Sequence, residues 1–151
     1  MIRIIENGNI FDSKMDVIAI TVNTIGVAGK GIALEAKKRF PDWYKVYKDM
    51  CDMGQMQVGN LSVYCQSNPK ILNFPTKTHW KWPSKLEYIE KGLDNLANNG
   101  YNLLGIKSLA LPALGCTNGG LDWSTVKDLI INKLKDLPIE IEIYAPLSET
   151  R

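Results

Sequence analysis

Val17-Ile18-Ala19-Ile20-Thr21-Val22 is almost wholly apolar and β-branched, and it stops abruptly at Asn23. An unbroken apolar run of this length is the profile of a strand buried on both faces of a mainly parallel sheet. Gly26, Gly29 and Gly31 follow as a flexible loop. A helix is expected from about Ile32, with Ala33, Ala36 and Phe40 spaced for one face. Strand, glycine-rich loop and helix in that order define an α/β unit, and the rest of the chain repeats the alternation.

Before this unit, Ile2 to Ile5 reads as a first strand and Asn7-Gly8-Asn9 as a turn. After it, Pro41 interrupts the helix and restarts one, with Trp43, Tyr47 and Met50 continuing an apolar stripe. Gly54 and Gly59 bracket a loop. Leu61, Val63 and Cys65 alternate with polar residues, which predicts a strand with those three side chains on its buried face. Ile71 to Phe74 is another short strand. Pro83 with Ser84-x-x-Glu87 has the pattern of a capping box, so a helix should start there and bury Leu86, Ile89, Leu93 and Leu96 before ending at Asn99-Gly100. Ile106 to Leu111 is a strand and Pro112 to Gly120 a second glycine-rich loop. Asp122 is placed to cap a helix that buries Trp123, Val126, Ile130, Leu134 and Leu137, and Pro138 stops it. Ile139, Ile141 and Ile143 alternate with Glu140 and Glu142 in a last strand.

The expected fold is therefore α/β, a sheet with helices on both faces. Both glycine-rich loops connect a strand to a helix, so they should open on the same edge of the sheet and form one cleft. The 151 residues fit one domain, 1–151, with 45% hydrophobic and 23% charged residues. No repeat or linker interrupts them. No run of 18 apolar residues exists, and the N-terminus turns polar too soon for a secretory signal. Cys51, Cys65 and Cys116 are odd in number and widely spaced, and His79 is the one histidine. That predicts reduced thiols in a cytoplasmic protein, with no disulfide framework, no metal site and no Cys-His or Ser-His-Asp arrangement.

Net charge is only +2, but its distribution is uneven. Residues 69 to 85 hold Lys70, Lys77, Lys81 and Lys85 and no acid, with His79, Trp80 and Trp82 among them. Cations among flat rings suit an anionic ligand that can stack, such as a nucleotide or single-stranded nucleic acid. The two loops point the same way. Glycines let backbone N–H groups approach an anion, and a helix N-terminus favours negative charge. Asn23 to Ala33 has neither the P-loop spacing nor GxGxxG. Two such loops on one cleft suit a diphosphate. Lys77 reads either as a nucleophile or as a solvated cation in a loop between a strand and a helix. Trp80 and Trp82 read either as stacking rings or as packing around Pro83.

Four stretches in order carry a resemblance: GNIF (8–11), TVNTIGVAGKGIAL (21–34), FPTKTHWKWPS (74–84) and LPALGCTNGGLDW (111–123). Together they resemble macrodomains, nearest to the DarG type and next to the TARG-type glycohydrolases, over essentially the whole chain. The resemblance implies a three-layer α/β/α fold with a mixed, mainly parallel sheet. It implies that the chain binds ADP-ribose and, as in the DarG group, removes it from DNA bases (thymine-type adducts in single strands) modified by a DarT-like toxin. Alternatives are a glycohydrolase of ADP-ribosylated protein and a non-catalytic ADP-ribose reader. By position, Lys77 matches the lysine these enzymes use. Asn9 and Ile10 match the adenine contacts, Asn23 the residue near the distal ribose, and Gly29, Lys30, Gly31 and Ile32 the first binding loop. Thr76 and His79, close to the lysine in sequence, are expected to contact the substrate. Leu114, Gly115, Cys116, Thr117, Asn118, Gly119, Gly120 and Leu121 match the phosphate loop, and Tyr144 lies where the adenine packs. TARG-type sequences place an acid where Gly119 stands here. No cofactor is implied. The partners expected are ADP-ribosylated single-stranded DNA and a DarT-like toxin, without a membrane, for a monomer. Full DarG antitoxins carry a further toxin-binding region, so the chain is expected to be either part of such a protein or a standalone one such as a phage-borne counter-defence.

Overall fold

The fold was analysed in a computed structural model that describes residues 1–147. Six strands form one sheet: β1 (Ile2–Ile5), β2 (Val17–Asn23), β3 (Ser62–Tyr64), β4 (Lys70–Lys77), β5 (Ser108–Leu111) and β6 (Glu140–Tyr144). Their spatial order is β1-β6-β5-β2-β4-β3, and every pairing is parallel except β3 with β4. Four helices connect them: α1 (Gly31–Arg39), α2 (Pro41–Asp52), α3 (Leu86–Asn95) and α4 (Trp123–Leu134). A short helical turn, Tyr101–Leu103, follows α3 after a break at Asn98 and Asn99. No helix among the described residues is long and apolar enough to cross a membrane.

β2 is buried on both faces, as its apolar run predicts, and its alternation assigns each side chain to a core. Val17 and Ala19 join Ile89, Leu93, Val126 and Ile130 of α3 and α4. Ile18, Ile20 and Val22 join Ala33, Ala36, Trp43 and Tyr47 of α1 and α2. The sheet thus separates two apolar layers, giving the three-layer α/β/α arrangement. Both glycine-rich loops leave carboxyl ends of neighbouring parallel strands, β2 and β5, and so share one edge.

Four local expectations are corrected. β4 is twice the length expected and runs through Pro75 to Lys77, so Lys77 ends a strand and does not sit in a loop. Proline is tolerated there because β3 pairs only with Ile71 to Asn73, so the ladder on that side has ended before Pro75. At β3 the buried residue is Tyr64, while Val63 and, just before the strand, Leu61 are half-buried and Cys65, just after it, is exposed, because this edge strand touches both cores. α3 starts at Leu86, with Lys85 at its N-cap and no side-chain cap, and Leu86 itself is exposed. Gly92 completes the buried face in its place, packed so tightly on Phe74 that a Cβ would overlap the ring. Glu142, expected on a solvent face, is buried and accepts hydrogen bonds from Arg3, Ser13 and Tyr144.

Candidate functional site

The cleft begins with a bulge. β2 and β4 run in register to Val22–Pro75, then shift so that Asn23 lies opposite Lys77. The two strand ends are tied beyond that point: Thr24 N–H donates to the Lys77 carbonyl (3.1 Å), and Thr24 Oγ1 to the Thr78 carbonyl (2.9 Å). Asn23 is buried and organises the first loop. Its Oδ1 accepts from the N–H groups of Ile25, Gly26 and Val27 at 3.0–3.2 Å, and its Nδ2 donates to the Val27 carbonyl at 2.8 Å. α2 braces the same loop: Tyr47 Oη donates to Asn23 at 2.8–3.0 Å, and Tyr44 Oη to the Gly26 carbonyl at 2.8 Å. Burial drives the Tyr47 phenol far above its ordinary pKa, so it remains a donor at every physiological pH.

Lys30 is the N-cap of α1 and makes no side-chain cap. The first N–H groups of α1 therefore lack intrahelical partners where the helix faces the cleft, an arrangement that favours an anion. The second loop folds against the first. Gly31, at φ +64°, has Asn118 Nδ2 packed against it where any Cβ would stand. The loop closes on itself through Leu121 N–H to the Gly115 carbonyl (3.0 Å), and Ser84 N–H reaches across to the Gly119 carbonyl (3.1 Å). This last bond explains why Ser84 does not cap α3: its backbone is pinned to the second loop.

Lys77 sits between the loops. Its Nζ donates to the Asn118 carbonyl at 2.8 Å and to the Trp80 carbonyl at 3.4 Å. Partial burial, and then the cation of Lys30, hold its pKa below the ordinary lysine value. Cys116 also lines the cleft, but burial and the Asp122 carboxylate push its thiol up to about 11, so it is protonated at neutral pH. Asp122 caps α4 as expected, accepting from Thr125 N–H at 3.0 Å. Gly119 stands where TARG-type sequences place an acid, and there is no room for one: a Cβ would overlap Ser84 Oγ and the Gly115 carbonyl.

Of the residues singled out in the sequence, the cleft brings together Asn23, Gly29, Lys30, Gly31, Ile32, Thr76, Lys77, Gly115, Cys116, Thr117, Asn118 and Gly119. Leu114 points into the core, and Gly120 and Leu121 close the loop behind the lining. His79 lies outside the cleft, its Nδ1 accepting from Lys81 N–H. Asn9, Ile10 and Tyr144 form a separate group near the end of β6. Asn9 Oδ1 caps a short helical turn, accepting from Phe11 N–H (3.0 Å), while Ile10 is buried and the Tyr144 ring packs on Gly8. Sequence reasoning missed Ser84, which is 5% exposed, lines the cleft and has an Oγ without a hydrogen-bond partner among the described residues. It also missed Tyr44, and Tyr47, whose stripe reads as core; their hydroxyls are nonetheless the braces of the first loop.

Fold and cleft together define an α/β domain with two glycine-rich loops converging on Lys77. The Macro domain family model matches residues 20–130, and the chain belongs to the macrodomain family. It is 42% identical over its whole length to a DNA ADP-ribosyl glycohydrolase of Thermus aquaticus, of which it covers 43%. The solved macrodomain of Thermus aquaticus DarG is 43% identical, with a TM-score of 0.90 over 97% of this chain and 99% of that one. The structure of Thermosipho africanus DarTG in complex with ADP-ribose is 40% identical, with a TM-score of 0.91 over 99% of this chain and 42% of that one. The chain thus spans less than half the length of these DNA ADP-ribosyl glycohydrolase relatives.

Proposed function

We propose that this chain is a DNA ADP-ribosyl glycohydrolase: a domain over residues 1–151 that binds ADP-ribose and removes it from a modified base in single-stranded DNA, reversing a DarT-like toxin. The observation that carries the reading is the position of Lys77 Nζ, 2.8 Å from the Asn118 carbonyl in the cleft shared by both loops. The likeness to a Thermus aquaticus DNA ADP-ribosyl glycohydrolase supports the choice of substrate.

In this reading the N–H groups of the two loops hold the diphosphate, and rigid holding orients the distal ribose. Gly29 to Ile32 and Gly115 to Gly119 supply that cradle. Asn9, Ile10 and Tyr144 take the adenine end, and Asn23 acts by shaping the first loop. The bond broken joins ribose C1″ to a base nitrogen. Overall, water gives its hydroxyl to C1″ and its proton to the base, releasing ADP-ribose and the repaired strand. Lys77 serves this in one of two ways. As a neutral amine it attacks C1″ and expels the base, which takes the proton that the amine sheds; water then hydrolyses the imine-type adduct. As an ammonium it protonates the leaving base while water attacks directly. The lowered pKa of Lys77 is in the direction the first route requires.

The test is release of ADP-ribose from a modified single-stranded oligonucleotide. Wild type should clear it, and Lys77→Ala should lose at least about 100-fold in rate while still binding free ADP-ribose. Unchanged clearance by Lys77→Ala would remove the role given to Lys77. Clearance of modified protein but not of the oligonucleotide would replace the substrate, and calorimetric binding of ADP-ribose without turnover of either would make the chain a reader. Borohydride trapping of a Lys77 adduct separates the two routes.

A further inference from the structure

Three residues beyond Lys77 the chain places a cluster of rings at the surface, outside the cleft. His79 lies between two tryptophans, with ring centroids 5.4 Å from Trp80 and 4.9 Å from Trp82. Trp80 is 43% and Trp82 58% exposed. Large rings left open together mark a contact surface. The cluster is held in shape from below: Trp82 N–H donates to the His79 carbonyl (3.1 Å), and Lys81 N–H to His79 Nδ1 (3.1 Å). Lys81 Nζ stands 5.4 Å from the centre of the Trp80 ring, and Lys85 follows on the same segment. No Asp or Glu occurs from residue 53 to residue 86. The cluster is also joined to the candidate catalytic group, since Lys77 Nζ reaches the Trp80 carbonyl at 3.4 Å.

We infer that the Trp80–Trp82 surface, with Lys81 and Lys85, binds the unmodified nucleotides beside the modified one, its rings stacking on bases and its lysines meeting backbone phosphates. Flat rings interleaved with cations are what single strands require, because every base offers a face and every linkage a charge. A duplex keeps its base faces stacked and has no use for such rings. The surface has this role only if the substrate is modified DNA, as proposed above. It adds that recognition extends past the ADP-ribose, to the strand.

Binding is compared for free ADP-ribose and for a single-stranded 12-mer carrying one ADP-ribosylated thymine, in a Lys77→Ala background that prevents turnover. The 12-mer should bind more tightly than ADP-ribose. Trp80→Ala with Trp82→Ala should weaken the 12-mer by about tenfold or more and leave ADP-ribose unchanged. Trp80→Phe with Trp82→Phe should recover much of the loss, and Lys81→Ala with Lys85→Ala should flatten the salt dependence of 12-mer binding. Unchanged ADP-ribose affinity also reports that each variant is folded. Equal affinity of the parent for 12-mer and ADP-ribose, or an unaffected 12-mer in the tryptophan variant, overturns the inference. So does a tryptophan variant impaired only towards modified protein. Failure of the proposed function is separate: the wild-type protein then releases no ADP-ribose from the 12-mer.

Discussion

At position 119 a single carbon separates a working loop from a disrupted one. The hydrogen at Gly119 faces Ser84 Oγ and the Gly115 carbonyl, and one of these is backbone that cannot swing aside. Gly119→Ala should lower stability by about 1–3 kcal/mol in urea titration and weaken ADP-ribose binding, because the loop must move to accept the methyl. Gly119→Asp, which writes in the acid of the TARG-type pattern, should lose binding and gain no rate. A faster Gly119→Asp enzyme would show that the loop has room. Lys77 accordingly has no carboxylate at that position beside it, and burial and Lys30 together lower its pKa. Neutralising Lys30 (Lys30→Met) removes a repelling cation, so the pKa of Lys77 should rise. In single-turnover rates against pH, the limb governed by Lys77 should move to higher pH. A limb rising with pH identifies the neutral amine as the active form, and a falling limb the ammonium. A limb that stays where it was would mean that Lys30 and Lys77 do not interact.

The elements divide into those written locally and those decided by distant partners. β2 and both glycine-rich loops are legible because β-branching and glycine act where they stand. Asp122 is legible as a cap because its acceptor serves N–H groups three residues on. Ser84 matched the capping-box pattern equally well and fails, because a bond to Gly119, 35 residues further along, holds its backbone elsewhere. The length of β4 was hidden for a similar reason: Pro75 ends a strand on local grounds, and only the early end of β3 makes it harmless. The brace from α2 is likewise unreadable in the stripe Trp43, Tyr47, Met50, where Tyr47 counts simply as apolar bulk. Tyr47→Phe keeps that bulk and removes the donor to Asn23, leaving a buried carbonyl short of a partner. We expect a loss of about 1–3 kcal/mol in stability. ADP-ribose affinity should also fall, read by calorimetry, since the first loop loses its support. A variant that is destabilised but binds normally would confine Tyr47 to the core.

At the scale of the whole molecule, the order β1-β6-β5-β2-β4-β3 sends five parallel strands towards one edge, where both loops and Lys77 are found. Most of the candidate cleft was legible for this reason, because any α/β sheet gathers its strand-to-helix loops there. Asn9, Ile10 and Tyr144 were placed by resemblance alone, and the structure sets them apart from the cleft lining. The resemblance also could not indicate that Ser84, buried and with no partner for its hydroxyl among the described residues, would stand under Gly119.

The same parallel order fixes where the molecule can be handled. β1 starts at the opposite edge of the sheet, where the amino group of Met1 donates to the Ile139 carbonyl at 3.1 Å. A surface-capture tag ahead of Met1 therefore leaves the edge that carries the cleft turned towards the solution. The polypeptide leaves β6 on the cleft's own edge, so a fluorophore attached just beyond that strand is placed to report whether ADP-ribose enters the cleft, as proposed.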